Sequence, residues 1–185
     1  MAAVCVFCAS SRTLDARWLE LAREVGSGIA AAGHRLVSGG GRVGMMGTVA
    51  AGARAVGGHT LGVIPEAMIA GEIADTDSDE LIVTADMAAR KTVMMARSDA
   101  FLVLPGGLGT LDELFEVWTT ATLGLHAKPV VLLDIDGFYT GLLDWLRGLV
   151  PTGFVRAAAM ESLIVVDSVA GALDVVERCR TVADR

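Results

Sequence analysis

The residues from Pro105 to Glu113 are of types that could bind an anion and act on it. They read Pro-Gly-Gly-Leu-Gly-Thr-Leu-Asp-Glu, and they follow the apolar run from Ala100 to Leu104. This order predicts a buried strand that ends at a proline, turns through glycines and opens a helix. Such a turn presents bare backbone N–H groups to an anion at the positive end of the helix dipole.

The acid at the end of this stretch, Glu113, has two interpretations. A carboxylate beside a bound phosphate would be repelled by it, so Glu113 either caps the helix or takes part in chemistry. Thr110 and Glu113 have the spacing of a capping box, in which the threonine caps the helix and the glutamate reaches back to the backbone N–H of that threonine. The glycines before Thr110 cost conformational entropy that a cap alone does not require, and this favours a functional role.

A second glycine-rich stretch, residues 39–44, contains Gly39, Gly41 and Gly44 in the pattern G-x-G-x-x-G. A dinucleotide site places this pattern after the first strand and an acid at the tip of the next strand. Here the pattern follows the second predicted strand, and the third ends at Pro65. This position argues against an NAD site. It favours a turn that lets the backbone approach a nucleotide or sugar phosphate. A tight turn without a ligand is the remaining alternative.

Basic residues follow the fourth predicted strand. Arg90 lies in the first turns of a predicted helix, where it could point towards the glycine loops and bind phosphate or ribose oxygens. A solvated basic edge is the alternative. Lys91 and Lys128 are the only lysines, and neither has the surroundings of a Schiff-base lysine with a pyridinium partner. We therefore expect no pyridoxal phosphate and no other cofactor.

Apolar runs alternate with helix-like segments along the chain. The predicted strands are 2–8, 35–38, 60–64, 80–84, 100–104, 130–134 and 163–166. The predicted helices are 14–32, 45–57, 86–98, 111–124, 138–149 and 168–181. Near-continuous Val, Leu and Ile runs indicate strands covered on both faces, so the alternation predicts an α/β fold: a doubly wound parallel sheet with helices on both faces. We expect one domain, residues 1–185, with its ligand beyond the carboxyl ends of the strands. The acidic residues 71–79 predict a solvated loop, and residues 134–137 predict a turn.

Composition excludes several classes of protein. A formal charge of −7 argues against non-specific nucleic-acid binding, and no apolar run has the length of a membrane span. The start of the chain lacks the pattern of a signal peptide, so we expect a cytoplasmic location. Three cysteines are too few for a disulfide scaffold, and Cys5 and Cys8 are predicted to be buried thiols on opposite faces of a strand. The three histidines have no partner at ligand spacing, so no metal site is expected.

Taken together, the motifs resemble the Lonely Guy family of cytokinin riboside 5′-monophosphate phosphoribohydrolases, whose members were often labelled lysine decarboxylases in error. The resemblance covers most of the chain. It is carried by residues 6–11, 39–47, 64–66, 87–91, 98–101, 105–113, 123–129 and 136–139. The paired signatures PGGxGTxxE and GGGxxGxMG are specific to it.

The resemblance implies a Rossmann-like homodimer that splits the N-glycosidic bond of a nucleoside 5′-monophosphate such as N6-substituted AMP. The products would be a free purine base and ribose 5-phosphate. By motif position, Arg90 and Glu113 would be the catalytic pair. The residues implied to hold phosphate and ribose are Ser11, Gly40, Gly41, Gly44, Met87, Lys91, Pro105, Gly106, Gly107, Gly109 and Thr110.

Cleavage of an N-glycosidic bond passes through an oxocarbenium-like transition state with positive charge on the sugar. A carboxylate beside the ribose would stabilise this cation and activate a water. Glu113 is assigned this role, while Arg90 orients the ribose or phosphate or stabilises the leaving purine. One departure is Ala88, which stands where the family commonly has a histidine. A non-catalytic nucleotide carrier, similar to molybdenum-cofactor carriers, is the alternative from another class.

Overall fold

The computed structural model describes residues 1–69 and 73–183, with the backbone alone for residues 179–183. The strands are β1 (Ala3–Phe7), β2 (Arg35–Ser38), β3 (Thr60–Pro65), β4 (Glu80–Thr84), β5 (Ala100–Val103), β6 (Val130–Leu133) and β7 (Leu163–Val166). The helices are α1 (Ala16–Ala31), α2 (Gly44–Ala55), α3 (Glu66–Ile69), α4 (Met87–Ala96), α5 (Leu108–Thr122), α6 (Thr140–Gly148), α7 (Ala157–Ser162) and α8 (Val169–Ala183), with a 3-10 helix at Ile135–Gly137.

The strands form one seven-stranded sheet in the order β4-β3-β2-β1-β5-β6-β7, and every pairing in it is parallel. The chain moves outward from β1 to β4 and then returns to place β5 on the other side of β1. This arrangement confirms the predicted doubly wound α/β fold. It also puts the switch point between β1 and β5, where such sheets form a ligand crevice beyond the strand ends.

Two apolar clusters cover the two faces of the sheet. One face packs against α1, α2 and α8, and its fully buried residues include Val25, Ile29 and Val49. The opposite face packs against α4, α5 and α6 around Phe101 and Leu114. Buried apolar area of this kind contributes about 25 cal/mol per Å² removed from water, so these clusters are the main favourable term that keeps the strand ends in place.

Cys5 and Cys8 lie in different clusters. Cys5 belongs to the cluster under α4 and α5, and Cys8 belongs to the cluster under α1 and α2. Both are free and buried, and burial raises the pKa of each thiol. The prediction of two buried thiols on opposite faces is confirmed.

The helix predicted at residues 111–124 begins earlier in the structure than in the prediction. α5 begins at Leu108 rather than at residue 111, because the turn through Gly106 and Gly107 is complete before that leucine. The short helices α3 and α7 were not predicted; neither has a buried residue, so neither carries the apolar periodicity that reveals a helix in a sequence. The turn predicted at residues 134–137 is the 3-10 helix, in which Asp136 has a φ of 55°.

The acidic stretch 71–79 is not simply a solvated loop. Its first two residues lie outside the described residues, but Asp75 is buried and its carboxylate pairs with both terminal nitrogens of Arg54, at 2.9 and 3.3 Å. The Asp75 N–H donates to the Gly40 carbonyl at 2.8 Å, and the Arg42 N–H donates to Ile73 at 2.7 Å. These bonds hold the segment against the second glycine stretch. The acidic composition of the stretch predicts exposure to solvent, but it does not show which carboxylate pairs with a buried partner.

In residues 1–69 and 73–183 no helix combines the length and the apolar character that crossing a membrane requires.

Candidate active site

The loops that follow β1 and β5 meet at the switch point of the sheet. The Ala9 N–H donates to the Pro105 carbonyl at 3.3 Å, and the Leu104 N–H donates to the Phe7 carbonyl at 2.9 Å. The second glycine stretch, which follows β2, contacts the same region because the Met46 N–H donates to the Ala9 carbonyl at 3.3 Å. Three loops with predicted ligand-binding residues therefore lie side by side.

Arg90 and Glu113 form a buried ion pair beside these loops. Nη1 of Arg90 donates to Oε1 of Glu113 at 2.9 Å, and Nε of Arg90 donates to the Val63 carbonyl at 3.1 Å. Arg90 and Glu113 are only 4% and 7% exposed. Burial raises the pKa of the Glu113 carboxyl, and the positive charge of Arg90 partly opposes that rise. The pair joins α4 to α5, so two segments from either side of the switch point supply one charged group each.

The close approach of Arg90 requires glycine at position 39. A Cβ at Gly39 would lie 1.8 Å from Nη2 of Arg90, so any side chain there would displace the guanidinium. Gly44 is required for a different reason: its φ is +61°, and a Cβ there would lie 2.6 Å from the Ser11 carbonyl oxygen. The glycine stretch thus permits close contact with Arg90 at one end and with the β1–α1 loop at the other.

The helix α5 begins without a side-chain cap. Gly107 is the residue before the helix, and Thr110 is its third residue, so Thr110 and Glu113 do not form the capping box that their spacing suggested. The Glu113 carboxylate is instead paired with Arg90, and Thr110 is buried against Gly106, where a Cβ would lie 2.1 Å from the threonine hydroxyl. The capping-box interpretation of Glu113 is therefore wrong.

Open space surrounds the start of α5. A Cβ at Gly107 or at Gly109 would meet no other atom within 4 Å among the described residues. The first N–H groups of a helix have no partner within that helix, so they need a side chain, a water or a ligand. An anion at this position would accept from them and would lie about one and a half helical turns from Glu113.

Tyr139, to which the sequence analysis assigned no role, fixes the loop between β5 and α5 by hydrogen bonding. The hydroxyl of Tyr139 donates to the Leu104 carbonyl at 2.7 Å and lies beside the backbone N–H of Gly106. The tyrosine is itself fixed, because its N–H donates to a carboxylate oxygen of Asp134 at 2.6 Å. Burial raises the pKa of the Tyr139 hydroxyl. A single tyrosine just after a predicted strand and turn was the available signal, but its target could not be read from the sequence.

Lys91 points to α5 rather than to open space. Its ammonium lies 2.7 Å from a carboxylate oxygen of Glu116 and 3.0 Å from one of Asp112. Hydrogen bonds to Glu116 and then Asp112 raise the pKa of Lys91. Lys91 thus ties α4 to α5 beside the Arg90–Glu113 pair.

The other predicted ligand-binding residues fall into two groups. Gly40, Gly41, Pro105 and Gly106 lie in the two glycine loops, whereas Ser11 and Met87 lie on the exposed rim, in the loop after β1 and at the first position of α4. Ala88 follows Met87 on the exposed first turn of α4. Within the described part of the chain, no three His, Cys, Asp or Glu residues are grouped as a metal site.

Comparison with known proteins identifies the family. A family model described as "Possible lysine decarboxylase" matches residues 46–176. The chain is 57% identical over 170 residues to a cytokinin riboside 5′-monophosphate phosphoribohydrolase of Mycobacterium tuberculosis, covering 92% of this chain and 90% of that one. It is 40% identical over 161 residues to a protein of the same name from Arabidopsis thaliana, covering 87% of this chain and 75% of the relative.

Solved structures share the fold. A molybdenum cofactor carrier protein from Chlamydomonas reinhardtii superposes with a TM-score of 0.73 at 26% identity, covering 97% of this chain and 98% of that one. DNA processing protein A from Streptococcus pneumoniae has a TM-score of 0.56 at 17% identity, covers 94% of this chain and 61% of that one, and shares the fold alone. The resemblance that the motifs indicate is confirmed by the sequence relatives: the chain belongs to the Lonely Guy family of cytokinin riboside 5′-monophosphate phosphoribohydrolases.

Proposed function

We propose that the protein hydrolyses the N-glycosidic bond of N6-substituted adenosine 5′-monophosphates and releases the free base and ribose 5-phosphate. The buried Arg90–Glu113 pair, about one and a half helical turns from the uncapped start of α5, is the observation that carries this proposal. The names of the relatives at 57% and 40% identity support the same reaction.

The substrate phosphate binds at the start of α5 in this proposal. Gly107 and Gly109 leave the backbone open, and the helix dipole favours a negative group there. Gly106 and Thr110 shape the loop by packing against each other. Binding energy from the phosphate then positions the reacting bond, which predicts a preference for monophosphates over ribosides.

Glu113 faces the ribose and acts on the anomeric carbon. Its carboxylate stabilises the positive charge that develops on the sugar and accepts a proton from the attacking water. The positive charge of Arg90 favours the ionised form of that carboxylate and so partly offsets the effect of burial, which raises its pKa. Arg90 also directs its remaining N–H groups at the ribose, the phosphate or the departing purine. Ser11, Gly40, Gly41, Gly44 and Met87 complete the substrate site, with Pro105 ending the strand that leads into it.

We further propose that the protein is located in the cytoplasm and that residues 1–185 form a single catalytic domain. We also propose that it is a homodimer. Large apolar side chains stand exposed next to the site, including Leu108 at 88% and Met87 at 45%, and a partner subunit would cover them. Light scattering after size-exclusion chromatography gives the mass in solution. A monomer at micromolar concentration would contradict the dimer.

A carrier function is the second candidate, because the Chlamydomonas carrier shares the fold over nearly the whole chain. A chromatographic assay of the free base released from AMP and N6-isopentenyl-AMP distinguishes a hydrolase from a carrier. The corresponding ribosides are the controls, and the Glu113→Gln variant is assayed in parallel. Base from the monophosphates alone, lost in the variant, supports the hydrolase. Binding of AMP without release of base would favour the carrier.

A further inference from the structure

The buried carboxylate of Asp75 is held at two points by an arginine in the last turn of α2. Nη1 of Arg54 donates to Oδ2 of Asp75 at 2.9 Å, and Nη2 donates to Oδ1 at 3.3 Å. The side chain of Asp75 is 4% exposed and that of Arg54 is 23% exposed. A two-point contact of this kind fixes orientation as well as distance, so it determines how the chain at Asp75 lies against α2.

The chain that leads into Asp75 lies along the second glycine stretch. The Asp75 N–H donates to the Gly40 carbonyl at 2.8 Å. The Arg42 N–H donates to the Ile73 carbonyl at 2.7 Å. Between these two bonds, Gly41 forms an antiparallel bridge with the residue before Asp75. The segment that the side-chain pair fixes is therefore bonded to the backbone of the glycine stretch.

The same glycine stretch also lies against the groups that hold Arg90. A Cβ at Gly40 would lie 2.9 Å from the backbone nitrogen of Val63, whose carbonyl accepts from Nε of Arg90 at 3.1 Å. One residue earlier, a Cβ at Gly39 would lie 1.8 Å from Nη2 of Arg90. A small displacement of the stretch therefore changes the space in which the guanidinium lies.

We propose that Arg54 and Asp75 are positioning residues for the reaction. Their pair fixes the glycine stretch, and the glycine stretch fixes the Arg90 guanidinium beside Glu113. The inference rests on the proposed function, because it takes Arg90 and Glu113 as the catalytic pair. An arginine in the last turn also suits the negative end of the α2 dipole, but the dipole accounts for the positive charge and not for its buried carboxylate partner.

Kinetics of base release from N6-isopentenyl-AMP test the pair. Asp75→Asn keeps the size of the side chain, and Arg54 is exposed enough for water to reach it, so the variant should fold. We expect kcat/KM to fall about tenfold or more, because displacement of a positioned group lowers the rate without removing that group. Arg54→Gln should lower kcat/KM to a similar degree. Tm shows that both variants are folded at the assay temperature.

Asp79→Asn is the matched control. Its carboxylate also anchors the connection between β3 and β4, since it accepts from the N–H and the hydroxyl of Thr60 at 2.8 and 2.9 Å. Thr60 is the first residue of β3, at the opposite end of that strand from the site. We expect kcat/KM of Asp79→Asn within about twofold of wild type. Equal losses in Asp75→Asn and Asp79→Asn, or no loss in Asp75→Asn, would overturn the proposal.

The double variant Gly39→Ala/Asp75→Asn tests whether the pair acts through the glycine stretch. Gly39→Ala by itself displaces the Arg90 guanidinium, so a second displacement along the same path should add little. We expect kcat/KM of the double variant within about twofold of the more impaired single variant. If the two single effects multiplied, Asp75 would act independently of Arg90, and the proposal would be wrong.

Hydrogen exchange with mass spectrometry gives a readout that needs no turnover. Backbone amides exchange when their segment opens locally. We expect peptides that cover residues 39–46 to exchange faster in Asp75→Asn than in wild type or Asp79→Asn. Equal exchange in the three proteins would show that the pair does not hold the stretch. If the wild type released no base, the proposed function would fail, while the exchange comparison would still test what the pair holds.

Discussion

The guanidinium of Arg90 occupies the space that a side chain at position 39 would need. A Cβ on Gly39 would lie 1.8 Å from Nη2 of Arg90 and 3.0 Å from the sulfur of Met46. The glycine after β2 is therefore tied to the position of the arginine on α4. A small change at position 39 would move the guanidinium while leaving the apolar clusters in place.

Gly39→Ala is expected to lower kcat/KM by about 100-fold, because an ångström-scale displacement of a positioned group costs about that much. The loss of stability should be modest, since the atom displaced is the end of a flexible side chain. Gly141→Ala is the matched control: it lies in α6, and its Cβ would meet nothing within 4 Å. Steady-state kinetics and thermal unfolding of both variants check this. Unchanged kinetics in Gly39→Ala would show that Arg90 has no part in the reaction.

The activity should depend on the ionisation of Glu113. Burial raises the pKa of this carboxyl above 4.5, so the proton is retained to a higher pH than in a free side chain. The rate should therefore fall as the pH drops through that raised pKa, and the acid limb of kcat/KM should lie above pH 4.5. Glu113→Gln should abolish turnover at every pH. An acid limb at or below pH 4.5 would contradict the assignment of Glu113 as the base.

The same pKa shift has a consequence for stability. A carboxyl whose pKa is raised on folding contributes stability in its protonated form, and this contribution is lost as the pH rises through the folded pKa. Wild type should therefore gain stability relative to Glu113→Gln as the pH is lowered through that value. Denaturant unfolding at a series of pH values measures the difference, and a gap that is constant with pH would contradict the shift.

Removal of the Tyr139 hydroxyl should loosen the loop that precedes α5. Tyr139→Phe leaves the buried Leu104 carbonyl without its donor at a cost of about 1–3 kcal/mol. If the loop positions the substrate phosphate, KM for the monophosphate rises while the weak turnover of the riboside is unaffected. Thr152→Val is the control, because it also removes a hydroxyl-to-carbonyl bond but lies after the end of α6. Equal loss for monophosphate and riboside would point to a purely structural role.

Variants of Lys91 and of its partners test whether the Lys91 ammonium contacts the substrate phosphate or only joins α4 to α5. Lys91→Met should cost less than about 1 kcal/mol of stability, because the partners Asp112 and Glu116 are partly exposed. If Lys91 acts only by joining α4 to α5, Asp112→Asn/Glu116→Gln should reproduce its kinetic effect. A rise in KM seen in Lys91→Met alone would instead show that the ammonium contacts the substrate phosphate. Initial rates over a range of monophosphate concentrations distinguish the two results.

The sheet was predictable because its strands are nearly continuous apolar runs separated by turn residues. The strand bounds agree within one or two residues, as for Arg35–Ser38 and Leu163–Val166. The loops were harder, because their conformation depends on contacts between segments far apart in sequence. Thr110 and Glu113 had the local spacing of a capping box, but Arg90, 23 residues earlier, takes the carboxylate. The pairing of Asp75 with Arg54 was invisible for the same reason.

The mutual burial of Arg90 and Glu113 constrains how relatives of this protein can diverge. Losing one partner of such a pair strands the other charge in the interior at a cost of about 3–5 kcal/mol, a large share of the stability of a typical domain. A lineage that gave up the reaction would therefore tend to retain both residues or to replace both together. Across homologues, the two positions should covary whether or not the reaction is kept, so their joint presence records a folding constraint as well as a catalytic one.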